Sequence, residues 1–172
     1  MDNFKQNSII IKQICTSIEP GKKMLQKLMY LIDRKDVNLA LNYSIHFYGP
    51  YSAKLDNTLH RLESYDMVRI DTNRSTHTIH LGDVSIDGVL EKAIQEKVDF
   101  VLKNFSSKTA LELEAITTVD YVATVLLKGS ASDEQVIERV KLIKGSKFTS
   151  EYLQDSLEIL KKYDYYQGNK NI

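Results

Sequence analysis

The constraint that most narrows the fold is the pair Gly49-Pro50, set in "HFYGPYS" between two stretches of different hydrophobic period. Upstream, Leu39, Leu41, Tyr43, Ile45 and Phe47 recur at every second position, the spacing of one face of a strand. Downstream, Tyr51, Leu55, Leu59 and Leu62 recur at four, four and three residues, which is one face of a helix. Glycine reaches backbone angles closed to other residues, and proline fixes φ as the first turn of a helix requires. The stretch therefore reads as a strand ending at Tyr48, a sharp corner, and a helix with Ser52 placed to cap its first turn. The aromatics are expected to pack beneath the corner, Tyr51 buried with Leu55 and Tyr48 partly exposed.

Working outward from the corner fixes the order of elements. Phe4, Ile11, Ile14, Cys15 and Ile18 give a first helix that "EPG" at Glu19 to Gly21 closes. "KKMLQKLMYLIDR" gives a second, with Leu25, Leu28, Leu31 and Ile32 inward and Lys23, Gln26, Lys27 and Asp33 outward. After the third helix, "YDMVRIDTNRSTHTIHL" predicts two short strands with a turn at Thr72 to Ser75. Helix, helix, strand, helix, strand, strand is the order of a winged-helix-like unit, with the third helix in the recognition position. The predicted fold class is α+β and mostly helical: residues 1–82 form this unit and residues 83–172 a helical extension packed on it, or continuous with it.

The extension is written in helical signals. Ile86, Leu90, Ile94, Val98, Val101 and Phe105 form one stripe, which Ser106-Ser107 breaks and caps. "KTALELEAITTVDYVATVLLKG" runs to a stop at Gly129 and is apolar nearly all round between Val119 and Leu127, so it is expected to be buried there. "SDEQ" at Ser132 to Gln135 is a capping box, and a last helix opens at Thr149 or Ser150 with Phe148 stapled onto Leu153. So many helices exceed what a minimal DNA-binding module needs, and they are expected to serve as a lid, a dimer surface or a partner surface.

Charge and chemistry exclude more than they select. The 23 basic and 23 acidic residues cancel, with a mild gradient from +3 over residues 1–36 to −3 over residues 81–172. No global field announces a nucleic-acid or membrane partner. Cys15 is the one cysteine, so an internal disulfide and a cysteine-rich zinc site are excluded, and its place on an apolar stripe predicts an inert thiol. No apolar run approaches the roughly 20 residues of a membrane span. The N-terminus lacks the features of a signal peptide, so a reducing, cytoplasmic setting is expected. His46, His60, His77 and His80 cluster in sequence, but His77 and His80 fall on opposite faces of a strand, and no metal or cofactor is expected. "PGKK" lacks the upstream glycine and following Ser/Thr of a phosphate loop, and no nucleophile motif occurs. The chain is not expected to be an enzyme.

Two binding readings stand. Lys54, Asn57, Thr58 and Arg61 on the third helix, with Arg69, Asn73, Arg74 and His77 on the wing, are the residues placed to reach DNA. Asp56, Glu63, Asp66 and Asp71 lie among them and oppose it. Tyr48 and Tyr51 are the candidates for a protein-partner surface, and the C-terminal helices are the candidate surface for a second copy.

"LQKLMYL" from Leu25 to Leu31, "YGP" from Tyr48 to Pro50, and the helix that leads on to "ESYDMV" carry a family resemblance over roughly residues 20–72. On these motifs the chain resembles the YwgA-like family of small bacterial proteins and, more distantly, the Panacea domain known from antitoxins of toxin–antitoxin pairs. The resemblance implies a non-enzymatic regulatory or protein-neutralising role and supplies no catalytic residues. The expected function is a winged-helix DNA-binding regulator; the alternative is an antitoxin-like module that neutralises or presents a partner protein.

Overall fold

Asp2 starts the first helix, α1 (Asn3–Ser17), by accepting a hydrogen bond from the Lys5 amide at 2.8 Å. The computed structural model describes residues 2–73 and 76–168, with α2 (Lys22–Ile32), β1 (Ser44–His46), β2 (Gly49–Tyr51), α3 (Ala53–Ser64), β3 (Val68–Asp71), β4 (Thr78–Leu81), α4 (Lys92–Phe105), α5 (Ala110–Tyr121), α6 (Asp133–Lys144) and α7 (Ser150–Lys162) following in order. The fold is α+β, mostly helical with small antiparallel strand pairs. Two units divide it: Met1–Ser44 with Tyr51–Lys108, and Ile45–Pro50 with Thr109–Ile172.

The first unit is winged-helix-like. Ile10, Ile11 and Ile14 of α1, Leu25, Leu28, Leu31 and Ile32 of α2, and Leu55, Leu59 and Leu62 of α3 are all buried. β3 and β4 pair antiparallel, Val68 opposite Leu81 and Ile70 opposite Ile79. The expected wing tip at Arg74 and Ser75 lies outside the described residues. β4 finds a further partner in the segment between α1 and α2: the Ile79 amide donates to the Pro20 carbonyl and the Lys22 amide to the His77 carbonyl, both at 2.9 Å. α4 belongs to this unit, where Val98, Val101 and Phe105 are buried and Ile86 and Leu90 fill the core from the segment ahead of it.

Two expectations need correction here. Residues 38–48 are not one continuous strand; only Ser44–His46 of them is extended and paired. Asn38, Ala40 and Asn42 take φ of +50°, +54° and +52°, so the alternation comes from every second residue being left-handed rather than from a pleat. Leu39 and Leu41, between them, both go inward. Asp33 supports this path by accepting a hydrogen bond from the Leu39 amide at 2.7 Å, and burial holds its carboxyl above the usual range. Extended pairing begins only at β1, whose partner is β2, so Phe47-Tyr48 is a hairpin turn rather than the end of a strand.

The second correction concerns Gln26 and Lys27, which are buried rather than outward. The Gln26 carboxamide brackets Ser52 at 2.9 Å on both sides, donating to its carbonyl and accepting from its amide. Held so, the Ser52 hydroxyl accepts from the Leu55 amide at 3.0 Å and caps α3, as its position in the sequence predicts.

The second unit is built around α5, whose residues from Leu113 to Tyr121 are all buried. Its cap is Thr109, in a reciprocal box with Glu112, while Ser106 closes α4 as expected, its amide donating to the Leu102 carbonyl at 3.2 Å. The helix widens over Val122–Leu126, and Val125 and Leu126 emerge to solvent, so burial stops short of the expected Leu127. Gly129, at φ +70°, ends it by donating to the Ala123 carbonyl at 2.8 Å. α6 opens on the Ser132–Gln135 capping box and α7 on Thr149, both where the sequence places them.

Candidate functional site

Two surfaces carry the residues singled out from the sequence. On the first unit, α3 and the β3–β4 hairpin present Asn57, Arg61, Arg69, Asn73 and His77 to solvent, with Lys54 also exposed and Thr58 half-buried. The side chains of Lys54, Thr58, Arg61 and Arg69 are engaged locally. Lys54 Nζ donates to the Ala40 carbonyl at 3.2 Å, and Thr58 Oγ1 to the Lys54 carbonyl at 2.9 Å. The Arg61 guanidinium lies 3.9 Å from the centre of the Phe4 ring. Arg69 pairs with Asp83 and, at 3.6 Å, with Asp66. The Asn73 amide donates to Asp71 at 2.9 Å. Arg74 lies outside the described residues. Asp56 accepts from Lys22 at 2.6 Å and stands 3.5 Å from His60. Between Ala53 and Leu81 the described residues hold Lys54, Arg61 and Arg69 against Asp56, Glu63, Asp66 and Asp71. A phosphate backbone arriving here would meet at least as many carboxylates as cations, and of the cations Arg69 is already paired with two carboxylates.

Tyr48 and Tyr51, read together as a partner surface, belong to different units. Tyr51 is half-buried rather than fully buried, and burial first, then the charge of Asp56 and a hydrogen bond to it, raise its phenol above the ordinary value. Tyr48 is 43% exposed, in keeping with its expected partial exposure, and Phe47 beside it is 77% exposed. The two rings meet edge to face, with centres 4.9 Å apart and planes at 86°.

The hairpin tip of the second unit, residues 45–50, is held by a buried ion cluster that the sequence reading missed. Glu114 of α5 is buried, and its Oε1 accepts from Lys144 at 2.9 Å and from Lys147 at 2.7 Å. Lys147 also reaches Oε2 at 2.8 Å. The Lys144 side chain is only 4% exposed and spends a further hydrogen bond on the Phe47 carbonyl. Lys147 is 29% exposed and stands 5.6, 5.2 and 5.7 Å from the ring centres of Phe47, Tyr48 and Phe148. Gly49 completes the anchorage. At φ +87° it brings the backbone so close to α5 that a Cβ there would lie 2.8 Å from Thr118 Oγ1. The signal in the sequence was acidic residues, Glu114 and Asp120, set among the apolar positions of a helix expected to be buried, since a buried charge demands a partner.

Beside the tip runs an open groove of about 590 Å³ lined by Ile45, His46, Phe47, Ile143, Lys144, Ser146 and Lys147. Elsewhere, Cys15 is pushed up to about 12 by burial, which keeps it a thiol rather than a nucleophile. Among the described residues no helix is long and apolar enough to cross a membrane.

The chain is 24% identical over 166 residues to the uncharacterized protein YwgA of Bacillus subtilis (strain 168), in an alignment that spans 92% of this chain and 96% of that protein. This likeness runs well beyond the motifs at residues 20–72 and supports a YwgA-like relationship along nearly the whole length. No family model matches the chain.

Proposed function

We propose that this chain is a non-enzymatic regulatory protein that acts by binding another protein through the Phe47-Tyr48 tip, in the manner of the antitoxin-associated Panacea proteins it distantly resembles. The observation that carries this reading is an exposed aromatic pair on a rigid mount. Phe47 presents 77% of its surface while its carbonyl is fixed by the buried Lys144. Exposed aromatics beside a cation are the residue types that concentrate energy at protein interfaces. The test is an affinity capture of the tagged chain from its own host, repeated with Phe47→Ser/Tyr48→Ala. A discrete partner, rebound after purification by the wild type and lost with the double variant at an unchanged melting temperature, supports the reading. Equal binding by both proteins refutes it.

DNA binding through α3 and the wing is the second reading, favoured by the three-segment sheet in which Pro20–Lys22 flanks β4. A gel-shift titration separates the two. Retention of genomic fragments that weakens steeply with salt, and that Arg61→Ala relaxes, would support the regulator. No retention at low salt would end it.

A further inference from the structure

We infer that the groove beside the tip recognises a short acidic and apolar segment of the partner, with a carboxylate set against Lys147 and an apolar side chain lodged between Phe47 and Ile143. This rests on the reading of the tip as a protein-binding surface and adds the chemistry of its occupant. Charge is the first argument. Among the described residues two ammonium groups line the groove, no carboxylate lines it, and the acid in contact with them, Glu114, is buried and shared between both. The cluster thus holds two positive charges against one negative, and of the two cations Lys147 is the one that reaches solvent. A purely apolar occupant would strip water from that excess charge without replacing it, and a basic one would be repelled.

Shape and apolar surface are the second argument. Phe47 and Ile143 flank the groove as exposed apolar walls, and Leu142 next to Ile143 is 77% exposed. A volume of about 590 Å³ admits a few side chains but no folded element. The lysine pair alone would suit any anion; the aromatic and aliphatic walls favour a peptide whose acid lies next to a large apolar residue. A single-stranded nucleic acid offers anions and stacking faces as well, and enters as a competing outcome.

The experiment pans a random-peptide phage library on the immobilised full chain, then measures the selected peptide by fluorescence polarisation on the wild type, Lys147→Gln and Phe47→Ser. Melting curves confirm that both variants fold; Lys147→Gln leaves Glu114 its bond to Lys144. The expected result is a consensus with Asp or Glu adjacent to Leu, Phe or Ile. Each variant should lose at least about tenfold in affinity, and the wild type should bind more weakly at high salt. A neutral or basic consensus that still requires Phe47 overturns the acidic occupant and leaves the tip reading standing. No enrichment, or binding indifferent to Phe47, overturns both. An oligo-dT strand that displaces the peptide and binds more tightly overturns the peptide in favour of nucleic acid.

Discussion

Replacing Gly49 by alanine tests the anchorage of the tip most directly. Two penalties are expected. Left-handed backbone costs an L-residue roughly 1–2 kcal/mol, and Gly49 sits at φ +87°. Separately, the new methyl would lie 2.8 Å from Thr118 Oγ1, closer than atoms pack, and Thr118 is buried on a helix that is itself buried, so it has little room to yield. Overpacking of this kind costs about 1–3 kcal/mol. Together Gly49→Ala should destabilise by about 2–5 kcal/mol, a fall in melting temperature of roughly 4–20 °C for a chain of this size. Thermal unfolding followed by circular dichroism reads it. A double-mutant cycle with Thr118→Ala then separates the terms. Thr118 Oγ1 has no hydrogen-bond partner among the described residues, so its removal alone should shift stability by no more than about 1 kcal/mol. In the Gly49→Ala background it should return the roughly 1–3 kcal/mol due to the clash and leave the left-handed strain. A Gly49→Ala protein that melts with the wild type, or a cycle without coupling, would refute the close approach of the tip to α5.

Three further outcomes follow from the same geometry. Ser52→Ala removes the α3 cap and also the hydroxyl that donates to the buried Leu41 carbonyl at 2.5 Å, so urea denaturation should show a loss of about 2–3 kcal/mol, above the ~1 kcal/mol of a cap alone. Glu114→Gln leaves Lys144 buried with its charge unmatched and should cost about 3–5 kcal/mol, while Glu114→Leu/Lys144→Met, measured in the same titration, should cost less. Asp33→Asn keeps an oxygen for the Leu39 amide but removes a carboxyl whose folded pKa burial raises above 3.8; the ionised form opposes folding at neutral pH, so the variant should be the more stable at pH 7, with the gain fading as pH falls through that raised pKa and both states become neutral.

What could be read from the chain, and what could not, divides by the range of the forces. Helix ends set by local chemistry stand where the residues put them: Ser52, Ser132 and Thr149 each accept the amide three residues on. The β3–β4 pair follows from its short alternating runs. Period two over Leu39, Leu41 and Tyr43 misled because alternate burial has two causes, a pleat and an alternation of left-handed residues, and Asn38 and Asn42 were the hint of the second. Gln26 could not be placed from its helix alone, since its partner Ser52 lies 26 residues on. The partners that Glu114 demands were out of reach for the same reason: Phe47 meets Lys144 across 97 residues, and Glu114 meets Lys144 across 30. Each member is an ordinary surface type by itself, and only tertiary packing turns them into a site.

That packing explains why an exposed phenylalanine is tolerable at all. A mobile loop presenting Phe47 would lose conformational freedom on binding, a cost of about 0.5–1.5 kcal/mol for each side chain immobilised. Here much of the ordering precedes the partner. The Phe47 carbonyl is held by a lysine that cannot leave without stranding Glu114, Gly49 is pressed against Thr118, and the ring rests edge-on against Tyr48. The same lysine pair that fixes the tip leaves one more positive charge than Glu114 can neutralise, at the one cation that reaches water. Rigidity and charge excess therefore have a common source in the buried Glu114 carboxylate. Glu114→Gln should consequently weaken partner binding by loosening the tip even where the protein still folds, although removing an acid makes the groove more positive. If the acidic peptide instead bound the Glu114→Gln protein more tightly at a temperature well below its melt, net charge alone would account for recognition and the rigid mount would be dispensable.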